Sequence, residues 1–407
     1  MITAEVLHSE KYRAAPETYW AAMRDDHPLF YDEIADLWML TRYVDVAAVF
    51  ADHETYSAAT YEESTGRVLG PTLISRDDYG HVVRRSIVAP DFVGNRLQRS
   101  LPMIESCSQA LIDGFVSDGQ FDLISQFSAR LPVDVISAML GMEGEGDLFR
   151  RWVTEMIQGL RPDPERRAAG LRAHAAFCAH IAPALQGVDD PERMDHIAKI
   201  ARAEVDGQRL DSAEVTAFCG LLFIAGGETT DKAISNMWWN LWQQPDLYEQ
   251  VVTDPGLWDH AFSETMRRTP AVISEDRFTT KAVEWYGTEI PVGARVRVSI
   301  GAANLDPTVF SDPLTFDLHR PDLHLEKELR SGASTTTGRT GHLGFGLGKH
   351  FCIGYELARL EAIVGSKHLV ERCPNLRPAP GPALRPQIEG NAFQSLPHFP
   401  LVFDPAH

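Results

Sequence analysis

The chain has 407 residues, 44% of them hydrophobic and 23% charged, and its 57 Asp and Glu against 38 Lys and Arg give a formal charge of −19. That apolar share excludes disorder as the main state, and 5 cysteines in a chain of this size exclude a disulfide scaffold. The acidic balance argues against a nucleic-acid binder, which needs a basic face.

The first ten residues (MITAEVLHSE) lack a basic segment followed by an apolar run, so no secretory leader is expected. No window reaches the roughly 18 apolar residues of a spanning helix, and the expected setting is cytoplasmic, with reduced thiols. Apolar residues recur near i, i+3, i+4 and i+7 over 16–26, 40–51, 97–116, 129–141, 146–160, 164–186, 190–204, 212–241, 245–252, 257–268 and 353–371, which predicts helices there. Asp211-Ser212-Ala213-Glu214 offers an N-cap with an acid in the first turn. Pro374 stops the last long helix. Strand-like pieces are few: Leu37–Leu40, a small sheet over 277–300, and a closing hairpin between Gln387 and Phe403. Minor, local β structure is therefore expected. The Ser/Thr/Gly-rich stretch 329–340 reads as a surface loop. Length alone suggests two or three domains at roughly 150 residues each. No linker separates two self-sufficient halves, however, so one large domain over 1–407, mainly α with small β-sheets, is expected.

The densest chemical signal is Gly344-Phe345-Gly346-Leu347-Gly348-Lys349-His350-Phe351-Cys352-Ile353-Gly354. Its first three glycines let the backbone turn tightly and approach another object. Cys352 then precedes a helix, where backbone N–H groups and the positive dipole end favour the thiolate. A thiolate held by a glycine loop is what an axial haem ligand requires. A phosphate loop is the competing reading, but it needs a preceding strand and a Ser or Thr after the Lys, where His350 stands. Cys107, Cys178, Cys219 and Cys373 read as small core residues.

The pattern Phe-Gly-x-Gly-x-His-x-Cys-x-Gly resembles the haem-binding signature of the cytochrome P450 family in its bacterial form. The resemblance implies that Cys352 is the proximal thiolate ligand of a haem b iron. It also implies that His350 hydrogen-bonds a haem propionate and that Phe345 packs beside the thiolate, with Gly346 in the loop that holds the cofactor. Ala225-Gly226-Gly227-Glu228-Thr229-Thr230 lies inside the predicted 212–241 helix. Each glycine there costs about 1 kcal/mol relative to Ala. The pair serves either a close helix crossing or a flat object against the backbone, and Thr can bond a carbonyl of the preceding turn. Within the resemblance this is the oxygen-activation helix, and Glu228 and Thr229 match the acid and alcohol that relay protons to dioxygen.

Glu264 and Arg267, at i and i+3 of a helix, are by themselves a common surface pair. The resemblance makes them, with Arg320, a structural lock. His81 and Arg85 share a helix face and read alone as a solvated basic patch or a carboxylate-binding pair. The resemblance assigns both, with Arg277, to the haem propionates, which need paired donors when buried. It also implies that Leu221, Ile224, Ala225, Val272, Ile273, Ala392 and Phe393 line an apolar pocket, which suits a small or medium apolar organic substrate.

The implied fold is the P450 fold enclosing haem, and the implied activity is a monooxygenase using O2. Electrons from NAD(P)H must come through separate proteins, because the chain has no multi-cysteine cluster spacing and no dinucleotide fingerprint after a strand. An iron–sulfur ferredoxin and its ferredoxin reductase are the expected donors, docking over the Cys352 loop near Lys349, Leu97, Gln98 and Arg99. A monomer with no membrane or nucleic-acid partner is expected. Peroxide-driven turnover, desaturation or coupling, and a non-catalytic haem sensor or carrier are the alternatives; an intact Glu228-Thr229 pair favours dioxygen over peroxide. The chain departs from the family pattern in three places. Pro270 comes one residue early after Arg267, Leu305 stands where Arg is usual, and 321–340 is a longer connection, expected near the proximal face.

Overall fold

A computed structural model describes residues 2–142, 144–161, 163–193, 195–323, 341–390 and 392–404. Most of the 321–340 connection, with the Ser/Thr/Gly-rich stretch, lies outside the described residues. The helices of seven or more residues among those described are α1 (Pro16–Asp26), α2 (Tyr43–Ala51), α3 (Tyr79–Val88), α4 (Leu101–Asp113), α5 (Leu131–Met139), α6 (Gly146–Gly159), α7 (Pro164–Ile181), α8 (His196–Arg202), α9 (Ser212–Gln243), α10 (Pro245–Thr253), α11 (Leu257–Arg268) and α12 (Tyr355–Arg372). None is long and apolar enough to cross a membrane.

Prolines account for most departures from the expected helices. The 97–116 pattern splits into Gly94–Gln98 and α4, with Pro102 in the first turn of α4. The 164–186 pattern ends at Ile181, and Pro183 sits in a following 3₁₀ turn. The 190–204 pattern shortens to α8, whose cap Asp195 accepts from Ala198 N–H at 3.0 Å. At the start of α9, Asp211 accepts from Glu214 N–H at 2.8 Å and Glu214 accepts from Asp211 N–H at 3.2 Å. This reciprocal cap fixes the entry of the longest helix.

The strands are β1 (Leu29–Asp32), β2 (Leu37–Leu40), β3 (Tyr56–Ser57), β4 (Gln120–Asp122), β5 (Ser274–Thr279), β6 (Val283–Trp285), β7 (Thr288–Ile290), β8 (Arg295–Ser299), β9 (Arg377–Pro378), β10 (Gln387–Glu389), β11 (Phe393–Ser395) and β12 (Pro400–Val402). The largest sheet has the order β1-β2-β8-β5-β3. Within it β2 and β8 run parallel, with Trp38 opposite Val296, and the other pairs are antiparallel. The β structure is therefore not local, because the N-terminal strands close onto 274–299. The closing hairpin is also revised. β10 pairs only with β11, whereas β12 lies between β4 and β9.

α9 runs through the main apolar core, where Phe223, Ile234 and Trp238 pack with Phe127, Ile136, Phe149 and Phe262. Its adjacent glycines serve a close helix crossing. A Cβ on Gly226 would meet Ile136 at 3.5 Å, and one on Gly227 would meet Val133 at 3.1 Å and Val153 at 3.2 Å. A second cluster beneath the large sheet joins Leu40, Val46, Val49, Val296 and Val298 to Leu343 and Leu347. Those two leucines root the glycine loop in the sheet. Leu305 is buried with Leu37 and Met39.

One buried acid stands without a counter-charge. Glu361 on α12 is 1% exposed and its Oε2 has no hydrogen-bond partner. Burial pushes its carboxyl from 4.5 up to about 8. The folded state thus keeps a proton that the unfolded chain releases at lower pH. This contribution is complete below about 4.5 and is lost as pH rises through about 8. Glu361→Gln is expected to flatten that part of the stability–pH curve, measured by chemical unfolding from pH 5 to 9. Parallel curves for the two proteins would contradict a buried neutral carboxyl.

Candidate active site

The glycine loop is fastened at both ends before Cys352 is reached. Leu343 N–H donates to Asn304 Oδ1 at 2.8 Å, and Asn304 Nδ2 donates to Met266 O at 3.1 Å. Gly344 is pressed on the end of α11, since a Cβ there would lie 2.7 Å from Met266 O. Gly346 (φ 70°) and Gly348 (φ 71°) adopt the left-handed region, which side chains disfavour. Cys352 N–H closes the loop on Phe345 O at 2.9 Å. The Phe345 ring packs on Tyr355, with centroids 4.9 Å apart, and against Phe262 at 6.1 Å.

Cys352 is exposed. Burial pushes the thiol up, while the N–H groups of Gly354 and Tyr355 and the charge of Arg85 favour the thiolate. Cys219 is fully buried, and burial pushes its thiol up to about 12.

On α9, Ala225 is exposed between buried Ile224 and Gly227, with half-buried Gly226 between. One turn later Thr229 Oγ1 donates to Ala225 O at 2.6 Å. Leu221 and Ile224 are each 6% exposed. Glu228 leaves the helix about 100° round from Thr229, and its carboxylate pairs with Lys232 Nζ at 3.1 Å. The acid and the alcohol, adjacent in sequence, therefore have different partners.

The basic residues converge beside the loop. The His81 and His350 rings lie 4.6 Å apart between centroids, and Arg85 donates to Phe351 O. His81 is fully buried, and neither ring nitrogen has a partner. Burial first, then the charges of His350, Arg85 and Lys349, lowers it to about 3. Arg277 is 4% exposed and stacks over Phe50 at 5.4 Å, with Glu275 at 3.6 Å. His350 Nε2 is engaged by Asp77 at 2.8 Å. Burial would raise Asp77, but the bonds from His350, Ser57 and Ala58 hold it below its ordinary value.

The expected pocket residues divide. Val272 bridges Phe393, and Ile273 N–H donates to Ala392 O at 2.7 Å. This brings the chain after α11 against the β10–β11 hairpin despite the early Pro270. Ile273 itself packs among Leu37, Met39 and Ala302, whereas Val272 packs against the cluster beneath the large sheet. Of the expected docking residues, Leu97 is 1% exposed and belongs to the core. Lys349 turns inward and donates to Asp77 O. Gln98 and Arg99 are exposed.

Sequence reasoning missed Asp77, which joins His350, Ser57 and Ala58. The available signal was Asp77-Asp78 before α3: one Asp caps the helix, accepting from His81 N–H, and the other has no local role. It also missed Lys232, although its i,i+4 spacing from Glu228 on α9 was a signal, and Glu389, whose meeting with Lys232 depends on the hairpin's path.

These residues fit a haem. A thiol with converging N–H donors stands on a loop too tight for side chains at Gly346 and Gly348. Beside it, His81 presents unpartnered nitrogens next to Arg85, a donor set suited to carboxylates. At the middle of α9 the exposed residue is the small Ala225, with half-buried Gly226 beside it.

The family model for cytochrome P450 matches residues 257–395. Cytochrome P450 107B1 of Saccharopolyspora erythraea is 31% identical over 363 residues, covering 85% of this chain and 84% of that protein. Cytochrome P450 monooxygenase PikC of Streptomyces venezuelae is 29% identical over 378 residues, covering 90% and 86%. The ligand-free structure of cytochrome P450 TbtJ1 superposes with a TM-score of 0.84 at 29% identity, covering 96% of this chain and 97% of that one. The chain belongs to the cytochrome P450 family of haem-dependent monooxygenases.

Proposed function

We propose that this chain inserts one oxygen atom of O2 into a small or medium apolar organic molecule held beside Ala225 and Thr229, with Cys352 as the thiolate ligand of haem b. The observation that carries this reading is the exposed Cys352 at the end of the glycine loop, its sulfur supplied with the N–H donors of Gly354 and Tyr355. Haem, when bound, supplies the redox chemistry that divides O2 between substrate and water. The balance is a C–H bond, O2, two electrons and two protons going to C–OH and H2O. His81, Arg85 and Arg277 hold the propionates by donor nitrogens, and His350 joins them while fixed by Asp77. Thr229 holds a proton at Oγ1 and exchanges it by rotating from Ala225 O. Glu228 brings protons from the hairpin side. Leu221, Ile224, Ala225 and Val272, with Phe393 and Ala392, exclude water and hold substrate by shape. A ferredoxin, reduced by its reductase, supplies electrons at the face bearing Gln98 and Arg99.

The test combines ¹⁸O2 with Thr229→Ala in a system reconstituted with ferredoxin and reductase. Wild-type protein is expected to place one ¹⁸O atom in each product molecule. Thr229→Ala is expected to keep consuming NAD(P)H while product per NAD(P)H falls by roughly a hundredfold, the lower end of what a positioned proton-transfer group supplies. Product oxygen drawn from water would overturn the monooxygenase reading, and fully coupled turnover by Thr229→Ala would overturn the relay.

A further inference from the structure

Lys232 is the only lysine buried among the described residues, at 5% exposure. It lies one turn after Glu228 on α9, and two acids from different elements meet it. Its Nζ is 3.1 Å from Glu228 Oε1 and 3.6 Å from Glu389 Oε2 at the end of β10. The same cation stands 5.5 Å from the Phe393 ring centroid. Beyond it, Arg161 in the connection between α6 and α7 reaches Glu389 Oε1 at 3.9 Å. Glu389 opens to solvent with 51% of its side chain exposed, whereas Lys232 at 6% and Glu228 at 14% lie inside.

We propose that Lys232 is a positioning residue that holds the Glu228 carboxylate, and that Glu389 and Arg161 tie this hold to the hairpin and to the α6–α7 connection, so that proton supply toward Thr229 depends on one row of ion pairs running in from the surface. The inference rests on the monooxygenase reading above. Burial lowers the Lys232 ammonium, but Glu228, Asp231 and Glu389 outweigh burial and raise it. Lys232 therefore stays charged and acts as a tether, not as a proton carrier. Asp231, the remaining acid facing it, accepts from Ser128 Oγ and is pushed up to about 6, burial outweighing the pull of Lys232. Without the lysine, Glu228, Asp231 and Glu389 would share one site with Arg161 as the outlying cation among the described residues, and Asp231 would hold its proton more tightly.

The experiment compares wild type, Lys232→Met and Lys232→Arg as holoenzymes with ferredoxin and reductase. Lys232→Met is expected to lose roughly tenfold in product per NAD(P)H, less than the roughly hundredfold or more of a proton-transfer group itself, because the lysine acts through Glu228. Its pH–rate limb is expected to move up as Asp231, already raised by burial, loses the pull of Lys232. Lys232→Arg is expected to restore both. A merely structural role would lower the unfolding midpoint and leave the pH limb in place. A double-mutant cycle of Lys232→Met with Glu228→Gln, read as unfolding midpoints, is expected to be non-additive and reports the contact independently of turnover. If wild type incorporates ¹⁸O normally while Lys232→Met keeps the wild-type ratio and pH limb, the positioning role is wrong and the monooxygenase reading stands. If wild type incorporates no ¹⁸O, that reading fails, and an additive cycle then removes the Lys232 hold as well.

Discussion

Glu264→Ala is expected to lower the unfolding free energy by about 3–5 kcal/mol, the usual result of stripping one partner from a buried ion pair. Glu264 and Arg267 are both fully buried. Arg267 donates from Nε and Nη2 to the two carboxylate oxygens at 2.7 Å each, and Arg320 Nε donates to Oε1 at 3.0 Å. Asp317 N–H adds a further bond at 3.1 Å. Removing the acid leaves two guanidinium groups facing one another in the interior. Their remaining donors hold the carbonyls of Asn304, Pro313, Thr315 and Ser311, so the segment that leads to the glycine loop loosens too. Asp113→Ala is the control. Its pair with Arg372 at 2.8 Å is 64% and 36% exposed, and exposed pairs contribute between zero and about 1 kcal/mol. Chemical unfolding of the two variants is the measurement. Equal small losses would show that burial does not set the energy of the lock.

The helical part of the fold was legible because its periodicity is strong and its breaks have local causes. α11 matches its expected span, and Pro102 and Pro183 explain where others stop. The sheet was less legible for a physical reason. β2 pairs in parallel with β8 across some 250 residues of intervening chain, roughly the span from Trp38 to Val296, and no local pattern encodes that partnership. The same limit affected the end of the chain, where β12 leaves the hairpin for β4 and β9.

The site shows the same division. Cys352, Phe345 and Gly346 lie within one short motif, so their neighbourhood follows from chain geometry. His81 and Arg85 are one helical turn apart, which sequence spacing gives directly. The adjacent glycines of α9 were ambiguous in sequence, and Val133 and Val153 account for the second of them through close packing. Ile273 was expected in the pocket with Val272, but the two pack into different clusters, Ile273 with Leu37 and Met39, and nothing in the local sequence encodes that split. Asp77 and Glu389 were invisible because their roles come from tertiary meetings, whereas the Lys232–Glu228 pair follows from i,i+4 spacing on one helix.

The account stands on Cys352 as a thiolate ligand, and carbon monoxide tests it most directly. The loop gives the sulfur two backbone donors, and α12 begins immediately after it, so replacement by a hydroxyl keeps the shape while removing the soft, readily ionised donor. Wild-type protein with haem, reduced and exposed to carbon monoxide, is expected to show the red-shifted Soret band of thiolate-ligated haem. Cys352→Ser is expected to lose that band and, with it, O2-dependent product formation. A wild-type protein that carries haem without the band, or a Cys352→Ser protein that retains it, would contradict the account.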